Sequence, residues 1–445
     1  MREGSLDAPI RHIIDWENDA FYDEVELDAE LRRVFDICHG CRRCFNLCDS
    51  FPTLFDLIDA APSGELDEVK SEDFPKVVDE CTLCDLCFVN KCPYVPPHEF
   101  DVDFPHLMLR HRTVQAKKNG IGFVEKQISK TDQVGTVASK IAPVVNWATS
   151  TSNKPARKAM ELVAGIDAKV DLPTYSNKTL CQQVEITPCS TNTEGPAYGE
   201  KAVLFATCFG NYNNPAIGLA ALKILRYQGV DAEVVYPGCC GMPLFEKGDL
   251  KAVAEQAEKI SETLKTYVEK DIPVISIIPS CSLMLKSEWP LLLPKNKHVQ
   301  SLSKKVMDIS EYVIHLHKKY SLAEGLKPLE NKAVTLHLAC HSRAQNIGAK
   351  AAEMLRLIPD LNVQIIERCS GHGGTWGIMK EHFQTALKVG KTTAKQALNL
   401  DNPFVLSECP LALKHILQGM QIQDDKANTY TTMHPIELMA KSYKL

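Results

Sequence analysis

The 445-residue sequence contains no apolar run near the ~18 residues that a membrane-spanning helix needs, so an integral helical membrane protein is not expected. Its N-terminus, MREGSLDAPIRHIIDWEND, mixes charges from the start and lacks the apolar centre of a secretory signal peptide. Basic residues are not in excess. Lys and Arg number 50 against 56 Asp and Glu, a formal net charge of −6, without the basic footprint that nucleic-acid binding leaves. There is no G-x-G-x-x-G fingerprint and no phosphate-binding loop motif, which assigns any flavin or nicotinamide chemistry to another chain. The cysteines cannot all pair with one another, because there are 17. With no secretion signal, the expected location is a reducing cytoplasm, where clustered thiols are read as metal ligands before disulfides.

The remaining composition is that of a globular chain of two or three domains, with 44% hydrophobic and 24% charged residues. Residues 1–37 are acidic, with Asp15, Glu17, Asp19, Asp23, Glu24, Glu26, Asp28 and Glu30 in short succession, and read as a solvated face. Residues 113–200 combine helix-compatible pieces with a polar run from Ser176 to Thr193 that reads as a linker or surface loop. From about residue 201 short apolar strands alternate with amphipathic helices. Strands are expected at 202–207, 232–236 and 272–280, then at 333–339, 363–367 and 403–408. A helix is expected to begin at Pro215, and Asp249 to cap another. Such alternation argues for α/β units with largely parallel sheets.

The two sets of strands form a repeat. Cys340 follows Cys208 by 132 positions, Cys369 follows Cys239 by 130, and Cys409 follows Cys281 by 128. CysSerLeuMetLeuLys (281–286) answers CysProLeuAlaLeuLys (409–414), and CysCysGly (239–241) answers CysSerGly (369–371). Both halves place cysteines after strands, where open α/β sheets bind ligands.

Ahead of the repeat, Cys38, Cys41, Cys44 and Cys48 form C-x2-C-x2-C-x3-C, with Asp49 where proline is usual. Cys81, Cys84, Cys87 and Cys92 form C-x2-C-x2-C-x4-C, followed by Pro93. Three cysteines so closely spaced suit one 4Fe–4S cluster, and the fourth reaches to the neighbouring cluster. The expected ligand sets are Cys38, Cys41, Cys44 and Cys92 for the first cluster and Cys81, Cys84, Cys87 and Cys48 for the second. Zinc also takes four thiolates, but its motifs pair two C-x2-C elements at a distance. Arg42 and Arg43 are expected to face solvent. Cys181 and Cys189 have no partners at metal-ligand spacing and read as free thiols.

The CysCysGly pattern resembles the cysteine-rich CCG module found twice in heterodisulfide reductase subunits and in one of the subunits of anaerobic glycerol-3-phosphate dehydrogenase. The N-terminal part is similar to their dicluster ferredoxin domain. Strings such as DICHGCRRC (36–44) and HSRAQNIG (341–348) resemble the rubrerythrin-associated Fe–S oxidoreductase type. The resemblance implies an α plus α/β architecture. An acidic extension (1–37) leads into a helical dicluster ferredoxin domain (38–112) and a helical or linker region (113–200). A first CCG-type module (201–330) and a second, degenerate one (331–445) follow, packed face to face.

Such modules can hold a noncubane cluster on five cysteines. The first module supplies Cys208, Cys239, Cys240 and Cys281, with Met284 at the fifth position, and is a candidate third Fe–S site. The second supplies Cys340, Cys369 and Cys409, with Ser370 and Ala412 in place of two more; His337, His341 and His372 lie nearby. The implied function is an iron–sulfur electron-transfer subunit. It would relay electrons between a dehydrogenase-type donor and a quinone, a thiol–disulfide couple or a partner redox protein. The alternatives are a heterodisulfide-reductase-like thiol–disulfide reductase and a docking scaffold for a rubrerythrin or flavoprotein. Peripheral membrane association is a further expectation, although the basic residues Arg110, His111, Arg112, Lys117 and Lys118 read more simply as a solvated face.

Overall fold

The computed structural model describes residue 4, residues 7–186 and residues 189–445. Parts of the acidic extension and two residues of the polar run lie outside the described residues. The N-terminal region is helical. Asp23 starts α1 (Glu24–Cys41) by accepting the backbone N–H of Val25 at 2.8 Å and of Glu26 at 3.0 Å. The buried face of α1, Leu27, Leu31, Val34 and Phe35, has helical spacing. It packs on α2 (Ser50–Asp59), α3 (Phe74–Asp79) and α4 (Phe104–Asn119) through a cluster of rings. Phe35 meets Phe74 edge-on at 5.1 Å, and Phe51 lies 4.6 Å from Phe104. This aromatic core holds both cysteine runs in place.

The extension is more than a solvated face. Residues 10–16 strap the N-terminal region to the first repeat. Ile10 N–H donates to Pro96 O, Ile14 N–H to Leu291 O, and the Trp16 indole to Leu292 O. Arg110 and Arg112 are likewise not a solvated face: Arg110 donates to Phe21 O and Ala20 O, and Arg112 is turned inward. Beyond α4 come α5 (Phe123–Ser129), α6 (Thr131–Lys140), α7 (Ala142–Thr149) and α8 (Lys154–Ala164). The polar run is partly ordered as α9 (Leu180–Ile186), pinned by the fully buried Leu180.

The remainder builds two four-stranded, wholly parallel sheets. The first, from β1 (Lys201–Phe205), β2 (Asp231–Val235), β3 (Val274–Ser276) and β4 (Val306–Asp308), runs in the order β2-β1-β3-β4. The second, from β5 (Ala333–His337), β6 (Asn362–Ile366), β7 (Phe404–Ser407) and β8 (Thr431–Met433), runs β6-β5-β7-β8. The identical order is what a duplication produces. Registers such as Phe205 with Val235 and with Ser276 align the C-terminal ends, so the cysteines that follow leave one edge together.

Helices start at Pro215 and after Asp249 as expected, and Asp249 accepts from Ala252 N–H at 3.3 Å. The strand expected at 272–280 is only Val274–Ser276, because Pro279 opens a helix (Pro279–Leu283) at once. Each sheet also has a fourth strand not read from the sequence. Both fourth strands are three residues long and run into a helix through a capping box, Asp308 with Glu311 and His434 with Glu437. These caps lie 126 positions apart, extending the series 132, 130, 128. The C-terminal helix (Pro435–Tyr443) crosses back onto helix Pro215–Tyr227 of the first repeat. There the rings of Tyr227 and Tyr443 lie 4.9 Å apart, and Gln228 Nε2 donates to Tyr443 Oη.

Candidate iron–sulfur thiol sites

Four of the N-terminal cysteines, Cys38, Cys41, Cys44 and Cys92, line one small pocket walled by Phe51, Phe55 and Tyr94. Cys38 and Cys41 stand on the last turn of α1. Arg42 then ends the helix in the left-handed region (φ 51°), which turns the chain toward Cys44. Burial pushes the Cys44 thiol up to about 12, with Cys92 and Cys41 adding to the rise. Burial likewise lifts Cys92 to about 11, and Cys38 rises beside Cys92, Cys44 and Cys41.

A second group gathers Cys48 with Cys81, Cys84 and Cys87. After burial, Cys48 is raised by Cys84 and Cys81, and Cys87 by Cys84, Cys81, Cys44 and Cys48. The loop between these cysteines is strained, with Leu83 at φ 48° and Asp85 at φ 60°. Non-glycine residues held left-handed mark sites where the fold imposes a shape for function. Arg112 clamps the loop from behind, donating to Val78 O at 2.6 Å, to Cys81 O and to Glu246 O. Among the described residues no three His, Cys, Asp or Glu side chains sit close enough to hold a single metal ion. The donor set is all sulfur, buried and arranged around a volume, which fits a polynuclear iron–sulfur cluster.

The first repeat brings Cys208, Cys239, Cys240 and Cys281 together. Cys239 Sγ lies 3.7 Å from Cys208 Sγ and accepts from Gly241 N–H at 3.4 Å. Side-chain contacts with Cys208 and Cys240 hold Cys239 well below the ordinary thiol range, while Cys208 and Cys240 are held well above it. Thr207, just before Cys208, is β-branched yet sits at φ 56°. Met284 is fully buried in the apolar core. The helical segment 113–164 contributes a group that local sequence does not reveal. Asp132 on α6 accepts from Cys239 N–H at 2.9 Å and from the Tyr236 hydroxyl. Trp289, the largest fully buried side chain, donates to Cys240 O at 3.0 Å.

In the second repeat Cys369 Sγ accepts from Gly371 N–H at 3.3 Å, repeating the Cys239–Gly241 contact, and Cys409 Sγ accepts from Ala412 N–H. Ser370 Oγ accepts from His372 N–H. Two of the three nearby histidines have both ring nitrogens engaged. His337 spans Ser407 Oγ and Arg368 O, each at 3.0 Å, and burial lowers it to about 4. His341 joins three parts of the molecule, with Nδ1 at 2.8 Å from Ser280 Oγ and Nε2 at 3.3 Å from Leu83 O. His372 leaves Nε2 unpaired among the described residues, and burial with His415 nearby lowers it to about 3. Gly373, at φ 56°, lies against Thr82, where an added Cβ would come within 2.7 Å.

The four groups of thiols are linked. Cys84 is pushed up to about 12 by burial and then by Cys369, and Cys340 is raised by Cys84, Cys369 and Cys409. Cys409 in turn has Cys281 of the first repeat beside it. Sequence spacing identified these residues as candidates, but not that the second run abuts the second repeat first.

Comparison with known proteins agrees with this chemistry. The cysteine-rich CCG domain matches twice, at residues 202–286 and 334–414. An anaerobic glycerol-3-phosphate dehydrogenase subunit from Escherichia coli K12 is 30% identical over 323 residues, covering 71% of this chain and 76% of that protein. A CoM/CoB fumarate reductase subunit from Methanothermobacter marburgensis is 26% identical over 250 residues, 55% of this chain and 47% of that protein. A dihydromethanophenazine:CoB–CoM heterodisulfide reductase subunit from Methanosarcina mazei is 27% identical over 256 residues, 55% of this chain and 59% of that protein. Two parallel α/β repeats with thiols at their strand ends, matched on both repeats, make this chain a member of the CCG-domain iron–sulfur oxidoreductase family.

Proposed function

We propose that the chain is an electron-transfer subunit with two 4Fe–4S clusters, one on Cys38, Cys41, Cys44 and Cys92 and one on Cys81, Cys84, Cys87 and Cys48. The observation that carries this reading is the gathering of all-sulfur donor groups, Cys38, Cys41, Cys44 and Cys92 around one pocket and Cys48 within electrostatic reach of Cys84 and Cys81. Such clusters, when bound, supply reversible one-electron chemistry. The chain's own residues exclude water, hold the loops through Arg112 and His341, and set the order of the sites. On this reading 38–112 is a dicluster ferredoxin domain, 201–330 the first CCG-type module and 331–445 a degenerate second one. The donor is a flavoprotein dehydrogenase, by analogy with the glycerol-3-phosphate relative. The acceptor is a quinone, a thiol–disulfide couple or a redox protein of the rubrerythrin kind.

Iron, acid-labile sulfide and zinc per chain, measured on protein purified without oxygen, test this assignment. About eight iron and eight sulfide are expected, and about twelve of each would add a cluster in the first module. Zinc in place of iron overturns the reading.

A second reading is a sulfur-substrate reductase acting at the first module, favoured by the strained Thr207 and by the lowered Cys239 thiol. Cys239→Ser then abolishes turnover of a disulfide substrate, and full turnover by that variant rejects it.

A further inference from the structure

A cleft of about 600 Å³ opens between the N-terminal cysteine region and the second repeat, with Cys369 on its wall. Four cations surround it: Arg43 and Lys91 on one side, Arg343 and Arg368 on the other, with Glu367 as the one acid. This concentration of positive charge stands out in a chain of net charge −6. Among the described residues, Arg43, Lys91 and Arg368 have no carboxylate partner. Arg343 reaches Glu367 only at 3.8 Å, and the Glu367 side chain is 59% exposed. Leu47, Leu86, Ile365 and Val389 also line the cleft, with the amides of Asn46 and Gln396. Four cations, three of them without a carboxylate partner, beside apolar side chains and a few hydrogen-bonding groups form a site for an organic anion.

We propose that this cleft binds a small organic anion carrying at least two acid groups, bridging Arg43 and Lys91 to Arg343 and Arg368. Cations from two distant parts of the sequence line the one cleft, so a dianion can engage both pairs where a monoanion engages one. The position next to Cys369, between the second cysteine run and the second repeat, puts the anion alongside the thiols. A simpler role for the cations is to offset thiolate charge, since Arg43 and Lys91 lie near Cys44 and Arg343 near Cys369. That role does not account for Arg368. Binding of such an anion does not depend on how many clusters the protein holds.

Calorimetric titration of the full, anaerobically purified chain with citrate, and with acetate as the monoanion, tests it. Citrate is expected to bind and acetate to bind far more weakly. Arg343→Gln and Arg368→Gln are each expected to weaken citrate about tenfold, the loss of one charge-assisted contact. The double variant Arg43→Gln/Lys91→Gln is expected to weaken it further, whereas Lys304→Gln, outside the cleft, should leave it unchanged. Iron per chain and far-ultraviolet circular dichroism on the same samples separate loss of clusters or fold from loss of the anion site. Equal citrate binding by wild type and variants overturns the proposal, as does no binding by wild type. Variants that shift only the reduction potentials of the bound clusters also overturn it, leaving the cations as charge compensation.

Discussion

Arg11 reaches three carboxylates at once from inside the molecule. It donates to Asp85 through both terminal nitrogens at 2.9 Å, to Asp103 at 2.8 and 3.1 Å, and to Glu288 at 3.2 Å, with its guanidinium 4.5 Å from the Phe88 ring centroid. His106 completes the network by pairing with Glu288 at 3.0 Å. Burial works against the charge on Asp103, but Arg11 and His106 overcome it and hold the carboxyl at about 2. Glu288 is lowered in the same way. His106 is raised, because its two carboxylates outweigh burial and Arg11. The stability contributed by Asp103 is therefore complete above about pH 4 and lost as pH falls toward 2, and that from Glu288 is complete above about pH 4.5 and lost as pH falls through its lowered value. That from His106 is complete below about pH 6.5 and lost as pH rises through its raised value. Arg11→Leu leaves buried carboxylates unpaired and is expected to cost about 3–5 kcal/mol, read as a lower urea midpoint. A midpoint equal to wild type would show that the strap is ornamental. Nothing in the local sequence marks Arg11, since its partners lie 74, 92 and 277 positions away.

At the scale of elements, the two repeats are alike in path and unlike in tension. The glycine after each second-strand cysteine is left-handed, Gly241 at φ 84° and Gly371 at φ 79°. A Cβ on Gly371 would lie 2.0 Å from Ala386 O, a backbone atom of the following helix. One on Gly241 would meet the flexible end of Gln256 at 3.1 Å. Gly371→Ala is therefore expected to lower the melting temperature clearly more than Gly241→Ala. The idea fails if the two variants melt alike. The residue before the first cysteine differs too, Thr207 being left-handed and Ala339 ordinary at φ −64°. Three strands of each repeat were legible as short apolar runs, although the run at 272–280 holds only the three-residue strand Val274–Ser276. The two fourth strands were not, because VMD and TTM are too short and too polar to stand out and only the sheet edge defines them.

The molecule as a whole is knitted by exchange between its parts. One apolar core runs from Leu27 and Phe35 through the first sheet to Ile436 and Tyr443 of the last helix. The second sheet keeps smaller cores of its own. No helix among the described residues is long and apolar enough to cross a membrane. Helices α6 to α8 nevertheless expose Val137, Ile141, Val144, Trp147, Leu162 and Val163, the last three at 67, 88 and 77% with Val144 at 61%. With Lys140, Lys154 and Lys158 nearby in sequence, these exposed residues have the composition of an in-plane membrane contact. The protein is expected to co-sediment with vesicles containing anionic phosphatidylglycerol, and Trp147→Glu with Leu162→Glu to release it. Wild-type protein remaining in the supernatant would remove membrane association from the reading.

The sequence by itself determined the chemistry and the duplication. Thiols at two- and three-residue spacing, and strand-end cysteines repeating every 128 to 132 positions, are local facts that one dimension records. Only the tertiary structure decided which thiols are neighbours, that Asp132 hydrogen-bonds Cys239, and that His341 ties Leu83 to Ser280. It also decided that four cations from two distant segments face one cleft. Spacing constrains a residue only as far as one turn or loop can reach. Contacts across a hundred or more positions are settled when apolar faces bury one another and carry their polar neighbours with them.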